Sequence, residues 1–375
     1  MSSKIDIQVK EIKKINYKII KKELSNSDFK FSVPINSKLV LEFDGKDINN
    51  VIINTFKRTV DANIPTYAFP SSLIQITDNT SIYNNDMIRL KLSQLPILNV
   101  DSGLYFLEQK YWKNVDFADA EREKHTAEKK IDFYINIVND TNEILNVTTS
   151  DIIVDSDQIK NNYNKICPLL ITQLKPKQKL NCKMQACLGV GELNNIWSPV
   201  CLPYFDDKTT DDLKGEFIEK KNGIIEFTIE SHGQLSEYVI LIKACDNIIY
   251  KLQEINKLIQ ENYEEISNIE SDIGVKRKLT KNILNDEKSY DNKAIEFIFD
   301  DEDHTIGYLI NNSFQDHNDI VFSGISKPDR LIKSVTIKIV CKENIESPVN
   351  AMSEQIQYLV KIFAYLKDKF IKMNK

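Results

Sequence analysis

Five consecutive residues, Asp300-Asp301-Glu302-Asp303-His304, form the most chemically suggestive cluster in this chain. Carboxylates beside an imidazole can bind a divalent cation or exchange protons, so a metal-dependent hydrolase using Asp300, Asp301, Asp303 and His304 is the enzyme such a cluster would make. The same acids directly precede a helical pattern, where first-turn amides and the helix dipole favour negative charge without catalysis. The structural role is therefore preferred. Leu188-Gly189-Val190-Gly191-Glu192 offers only Gly-x-Gly, whereas a dinucleotide loop needs a third glycine and a following helix, and Trp197-Ser198-Pro199 arrives instead. Cys182, Cys187 and Cys201 have no standard zinc spacing and no evident fourth ligand. His125, His232 and His317 lie in unrelated contexts, and no Ser-His-Asp or Cys-His arrangement can be assembled. No catalytic, cofactor-binding or metal-ligating residue is expected.

The elements that flank the acidic cluster carry a stronger signal. Val51-Ile52-Ile53-Asn54-Thr55-Phe56 and Leu309-Ile310-Asn311-Asn312-Ser313-Phe314 are similar helical segments, each behind an apolar strand that closes on Phe-Asp, at Phe43-Asp44 and Phe299-Asp300. Each is followed by a second apolar strand and then by a heptad-patterned helix. A unit written twice, far apart, predicts two related half-domains that bury their helix faces on each other. In the first helix, four of the five residues Ile48, Val51, Ile52, Phe56 and Val60 share one face, Asp47 is placed to cap it and Pro65 to end it.

The two long helices carry seams. Ile248, Leu252, Ile255, Ile259, Ile266 and Ile269 form one; Val349, Met352, Ile356, Leu359, Phe363, Leu366 and Phe370, alternating by three and four, form the other. Each seam needs a partner, and burying each large apolar side chain contributes roughly 1.5 to 3 kcal/mol. The residues expected at the internal interface are Val51, Ile52, Phe56, Leu309, Ile310 and Phe314, with Leu252, Ile255, Ile259, Leu359, Phe363 and Leu366 from the seams.

Between the first helix and its later partners, about Thr66 to Phe205, the texture changes to short strands and proline-interrupted loops around a charged stretch at 110–130. The acidic loop from Asp206 to Asp212 reads as a solvated closure of that region. Trp197 and Tyr204 read more readily as buried aromatics than as exposed contacts. The predicted fold class is α+β. Residues 1–65 and 215–270 together make the first half-domain, 66–214 a β-rich insert within it, 271–290 a linker and 291–375 the second half-domain.

Composition bounds the function classes. Hydrophobic residues at 42% and charged residues at 28% are globular values, and no apolar run approaches a membrane span. A net charge of −6 argues against general nucleic-acid binding, which relies on basic surface. Six cysteines without a Cys-x-x-Cys pair predict reduced thiols. Met1-Ser2-Ser3-Lys4 leads into alternating residues with no secretory signal, so an intracellular location is expected.

Asn50-Val51-Ile52-Ile53-Asn54-Thr55-Phe56-Lys57-Arg58-Thr59, followed by Ile64-Pro65-Thr66 and Asn79-Thr80-Ser81, resembles the signature of the large alpha-like subunit of multisubunit RNA polymerases. That group includes the bacterial alpha amino-terminal domain, its archaeal counterpart and the third-largest subunit of RNA polymerase II. Further resemblances follow in order: Asp86-Met87-Ile88 through Leu95-Pro96-Ile97, Thr148-Thr149-Ser150-Asp151, Leu174 through Leu180, and Gly189 through Pro199. The segment Phe297 to Ile310, with Glu302-Asp303-His304-Thr305 at its centre, resembles the small alpha-like subunit as archaea have it. Val321-Phe322-Ser323-Gly324 and Pro328 are similar to its next strand and turn. The fusion of both in one chain resembles the arrangement in large nucleocytoplasmic DNA viruses, with which the abundance of Ile, Asn and Lys is compatible.

The resemblance implies a non-catalytic assembly subunit whose halves pair into an intrachain pseudo-dimer. Its implied partners are the largest and second-largest polymerase subunits and small assembly subunits, with no direct nucleic-acid readout and no membrane. For a viral chain the implied location is the host cytoplasm, in the viral factory, and the virion. Two departures stand out. Residues 98–130 lack the cysteines of the family's metal loop, so no zinc is expected there. Lys91, Ser93 and Asn194-Asn195-Ile196-Trp197 replace family residues at contacts of the insert.

Overall fold

A computed structural model of the chain describes residues 5–15, 37–155, 168–208, 224–265, 275–278, 293–300, 302–315, 317–327, 334–342 and 348–374. The amino-terminal half begins with strands β1 (Gln8–Ile15) and β2 (Ser37–Asp44), followed by helix α1 (Asn50–Ala62). After a long intervening segment it resumes with β10 (Val200–Asp207), β11 (Ile225–Ser231) and helix α3 (Glu237–Glu265). The carboxy-terminal half runs β12 (Val275–Lys278), β13 (Lys293–Asp300), α4 (His304–Ser313), β14 (Ile320–Ser326), β15 (Ser334–Cys341) and α5 (Pro348–Met373).

The first four strands named form an antiparallel sheet in the order β1-β2-β11-β10, and the last four form another in the order β12-β13-β15-β14. Chain order and sheet order therefore repeat, strand for strand. Period-two alternation builds the inner faces: Val335, Ile337, Ile339 and Cys341 of β15 are buried while their neighbours are half-buried. Leu39, Leu41 and Phe43 of β2 are fully buried in the other half, where Val40 between them is buried as well. Gly307 lets α4 approach its sheet, since a Cβ there would lie 2.6 Å from side-chain atoms of both Ile325 and Val335.

One apolar cluster runs through both halves, from Ile7 to Phe370, and takes in both sheets and α1, α3, α4 and α5. A separate cluster fills the intervening segment. There, β3 (Thr66–Ala68), β5 (Ile131–Val138), β7 (Ile153–Asp155) and β9 (Lys179–Gly189) form a sheet in the order β3-β9-β5-β7, and β4 (Ile74–Asn79) also pairs with β9. Strands β6 (Leu145–Thr148) and β8 (Leu170–Leu174) pair with each other, and helix α2 (Asn85–Ser93) packs on β4 and β8. The charged stretch at 110–130 is anchored by a buried Arg122–Glu128 ion pair, and Glu128 also accepts from the Leu188 N–H at 3.3 Å.

Four expectations change. The cap of α1 is Asn49, whose Oδ1 accepts from Ile52 N at 3.0 Å, because Asp47 instead receives the Asp6 N–H and the Tyr358 hydroxyl. Strand β10, placed by the sequence in a segment ending at 214, is hydrogen-bonded to β11 and belongs to the first sheet. Residues 275–278, expected within a linker, pair with β13. Of the two aromatics expected to be buried, Trp197 is buried and Tyr204 is exposed. Gly189 and Gly191 serve close packing: a Cβ at the first would meet the Trp197 indole at 2.6 Å, and at the second the Asp61 carbonyl oxygen at 2.2 Å. Cys167, residues 209–212 of the acidic loop, the seam positions Ile266 and Ile269, and Pro328 lie outside the described residues.

Candidate functional site

The site is the helical layer between the two sheets. Helices α1 and α4 cross antiparallel: Asn49 Nδ2 donates to Asn312 Oδ1 at 2.8 Å near one end, and Arg58 Nη2 donates to Asp303 Oδ2 at 2.8 Å near the other. Helices α3 and α5 also run antiparallel, with Lys367 Nζ on Asp246 Oδ1 at 2.6 Å and Ser353 Oγ on Asn256 Oδ1 at 2.7 Å. The seams make this possible, since spacings of three and four keep one apolar stripe facing the partner helix over the whole length.

Ile52, Phe56, Leu252, Ile255, Ile259, Leu309, Ile310, Phe314, Leu359, Phe363 and Leu366 are all buried in the shared apolar cluster. Val51 is half-buried and is not part of that cluster. The centre of the layer holds residues outside that set. The Phe370 ring of α5 stacks on Phe56 at 5.7 Å and 18°, and meets Phe43 edge-on at 6.4 Å. Phe56 is flanked in turn by Phe227 at 5.8 Å. Phe370 is legible as the last step of its seam, but Phe43 alternates like any buried strand residue and gives no cue that it meets a helix from the far end of the chain.

Polar contacts fasten the margins. Tyr358 of α5 donates to Asp47 and Tyr365 donates to the Ile7 carbonyl at 3.2 Å, so α5 is tied to the opening segment of the first half. Burial, and then the Asp47 carboxylate, push the Tyr358 hydroxyl above its ordinary pKa. Complete burial likewise raises the Cys245 thiol of α3 well above its ordinary value, which makes it an inert core residue.

The acidic cluster takes part in this layer as charge. Asp300 closes β13, Glu302 faces Lys251 at 3.5 Å, and Asp303 accepts from both Arg58 and Lys327, the latter at 3.4 Å. Burial works against the Asp303 anion, but the His304 backbone N–H, Arg58 and Lys327 together hold its carboxyl below the usual carboxylate range. His304 opens α4 with its ring 5.7 Å from that of Tyr308; Asp301 lies outside the described residues. No group of three His, Cys, Asp or Glu among the described residues could hold a metal ion, and the hydrolase alternative gains no support. No helix among them is long and apolar enough to cross a membrane.

Residues 294–369, which contain most of the carboxy-terminal half, match the family model of the RNA polymerase Rpb3/Rpb11 dimerisation domain. Over 354 residues the chain is 25% identical to a protein of Acanthamoeba polyphaga mimivirus assigned as a DNA directed RNA polymerase subunit, covering 88% of this chain and 90% of that one. It is also 22% identical over 241 residues to a conjugation stage-specific protein of Tetrahymena thermophila, covering 57% of this chain and 74% of that protein. The matched dimerisation domain and the similarity along most of the viral protein support the reading of this chain as an alpha-like RNA polymerase subunit.

Proposed function

We propose that this chain is a non-catalytic assembly platform of a DNA-directed RNA polymerase, a single-chain pseudo-dimer on which the largest and second-largest subunits and small assembly subunits gather. The observation that carries the reading is the shared helical layer: two sheets of the same strand order are joined through one apolar cluster, with α5 reaching across to Phe43 and Phe56. Such a layer is rigid and buried, so its work is to fix the geometry of surfaces elsewhere. The segment between α1 and β10 is then an insert domain with its own core, available for partner contacts.

Fusion has a physical rationale. A tether converts a bimolecular association into an intramolecular one at an effective concentration on the order of millimolar, so the halves pair regardless of expression balance. The proposed location is intracellular; for a viral chain it is the host cytoplasm, in the viral factory, and the virion. The proposed role involves no membrane and no direct reading of nucleic acid, in keeping with a net charge of −6.

Affinity purification of the tagged full chain from cells that make it, followed by mass spectrometry, tests the proposal. Co-purification of two large polymerase subunits in one-to-one proportion is the expected result. Recovery of the chain without them, or a divalent-ion-dependent hydrolytic activity of the chain alone, contradicts it.

A further inference from the structure

The two sheets of the helical layer end, among the described strands, in four edges, β1, β10, β12 and β14. An edge leaves backbone N–H and C=O groups free to pair with another chain, and soluble proteins discourage this with charge or proline. Three of the four edges do so. Strand β1 holds Lys10, Glu11, Lys13 and Lys14, β10 holds Pro203, Asp206 and Asp207, and β12 reads Val275-Lys276-Arg277-Lys278. Strand β14, Ile320-Val321-Phe322-Ser323-Gly324-Ile325-Ser326, has neither charge nor proline.

Its geometry is open as well. A bulge takes Val321 out of register with β15, and from Phe322 to Ser326 the pairing is regular. Phe322 lies opposite Val340 and Gly324 opposite Lys338, on the face turned away from buried Ile337 and Ile339 and therefore from the helices. There the Phe322 ring lies over Gly324, where a Cβ would come within 2.8 Å of the ring Cζ. Val321 is 56% exposed and Phe322 53%, although both are large and apolar. The charges beside them on that face, Lys338 and Glu296, answer each other at 3.7 Å. From the strand's own half, Gln315 Nε2 reaches the Ser323 carbonyl at 3.5 Å, a long bond that an incoming N–H would improve on.

We propose that β14 is a docking edge on which a partner subunit of the polymerase adds one extended, uncharged segment beside residues 322–326. The proposal rests on the assembly-platform role and specifies how one partner is held. Backbone hydrogen bonds attach the added strand, and an apolar side chain opposite Phe322 sets its register. Charge complementarity fixes its chemistry: a charged strand would meet no charge on β14 and, next to it, a pair already neutralised. The two halves of the chain already cover each other's helices, so the added strand comes from a different chain.

The test uses the tagged full-length chain in cells that assemble the polymerase. With p-benzoylphenylalanine in place of Phe322, irradiation is expected to join position 322 to one uncharged stretch of another polymerase subunit, located by mass spectrometry. Phe322→Lys gives β14 the protection the other three edges have. It is expected to lower recovery of that subunit at least about tenfold while the chain alone melts as the parent does. Val321→Lys, at the bulge, makes the same check should the first variant misfold. Cross-links confined to the chain itself or to a second copy of it, no cross-link in the assembled polymerase, or undiminished recovery with a folded lysine variant would overturn the proposal. Where the parent chain still recovers both large subunits, those results remove the edge assignment and leave the platform role standing; a parent chain that recovers neither removes both.

Discussion

The two sheets share a strand order and differ in how each passes from its second strand into the first helix of its half. In the first, four residues, 45–48, connect β2 to the cap Asn49, whose side chain closes the first turn of α1. In the second, only residues 301 and 302 connect β13 to Asp303, which occupies the cap position of α4 but makes no side-chain cap bond. Its carboxylate instead meets Arg58 of the other half and Lys327 of its own. Equivalent positions thus share one use and differ in another: both reach the other half, Asn49 through Asn312 and Asp303 through Arg58, but only Asn49 closes the first turn of its own helix with a side-chain cap bond. The acidic run that looks chemical in the sequence is explained by this crossing, because charge at a helix start also suits a facing cation.

The largest effect should come from the core common to both halves. Phe314→Asp places an unpaired charge in a fully buried position and is expected to lower stability by several kcal/mol, read as a shift of the denaturant midpoint. A midpoint equal to the parent's would break the claim that this helix faces the other half. Phe370→Ala removes the ring that stacks on Phe56 and is expected to cost about 3 to 5 kcal/mol, although its position is only five residues from the end of the chain. A terminal residue packing only within its own half would leave the first half's hydrogen exchange unchanged on truncation; here Phe43 and Phe56 amides should lose protection.

Smaller effects sharpen the difference between the caps. Asn49→Ala should cost about 1 kcal/mol through loss of the α1 cap, and Asn49→Asp should restore most of it. For Asp303, a double-mutant cycle with Arg58→Ala should return a coupling of about 0.2 to 1 kcal/mol, since both side chains are partly solvated. Because the Asp303 carboxyl sits below its unfolded value, its contribution is present above that value and lost as pH falls through the depressed one. Asp303→Asn should therefore weaken the acid dependence of stability below about pH 4 and leave the slope near pH 7 unchanged.

The repeat, the seams and the apolar half of the interface were legible because burial on one stripe leaves a periodic mark that no folding partner is needed to read. Strand β10 was not, since Pro199 and Pro203 and a bulge between Cys201 and Tyr204, with Leu202 at a φ of 44°, interrupt its alternation. Strand β12, Val275-Lys276-Arg277-Lys278, has one apolar residue and reads as linker; the pairing with β13 that makes it a strand comes from elsewhere in the chain. Asp47 and Asn49 are equally good caps by type, and the choice was made by Tyr358 and Asp6, whose arrival depends on the packing of the halves. The cross-half polar contacts, Arg58 with Asp303 and Asn49 with Asn312, follow from the antiparallel crossing and have no signature of their own in sequence spacing.

Separating the halves is the most direct test of the central claim. Residues 1–270 and 271–375, co-expressed as two chains without a tether, should associate as a one-to-one complex that melts cooperatively, with Phe56 and Phe370 amides protected only when both are present. Two independently folded, monomeric pieces of that size, each with its apolar helices already covered, would contradict it.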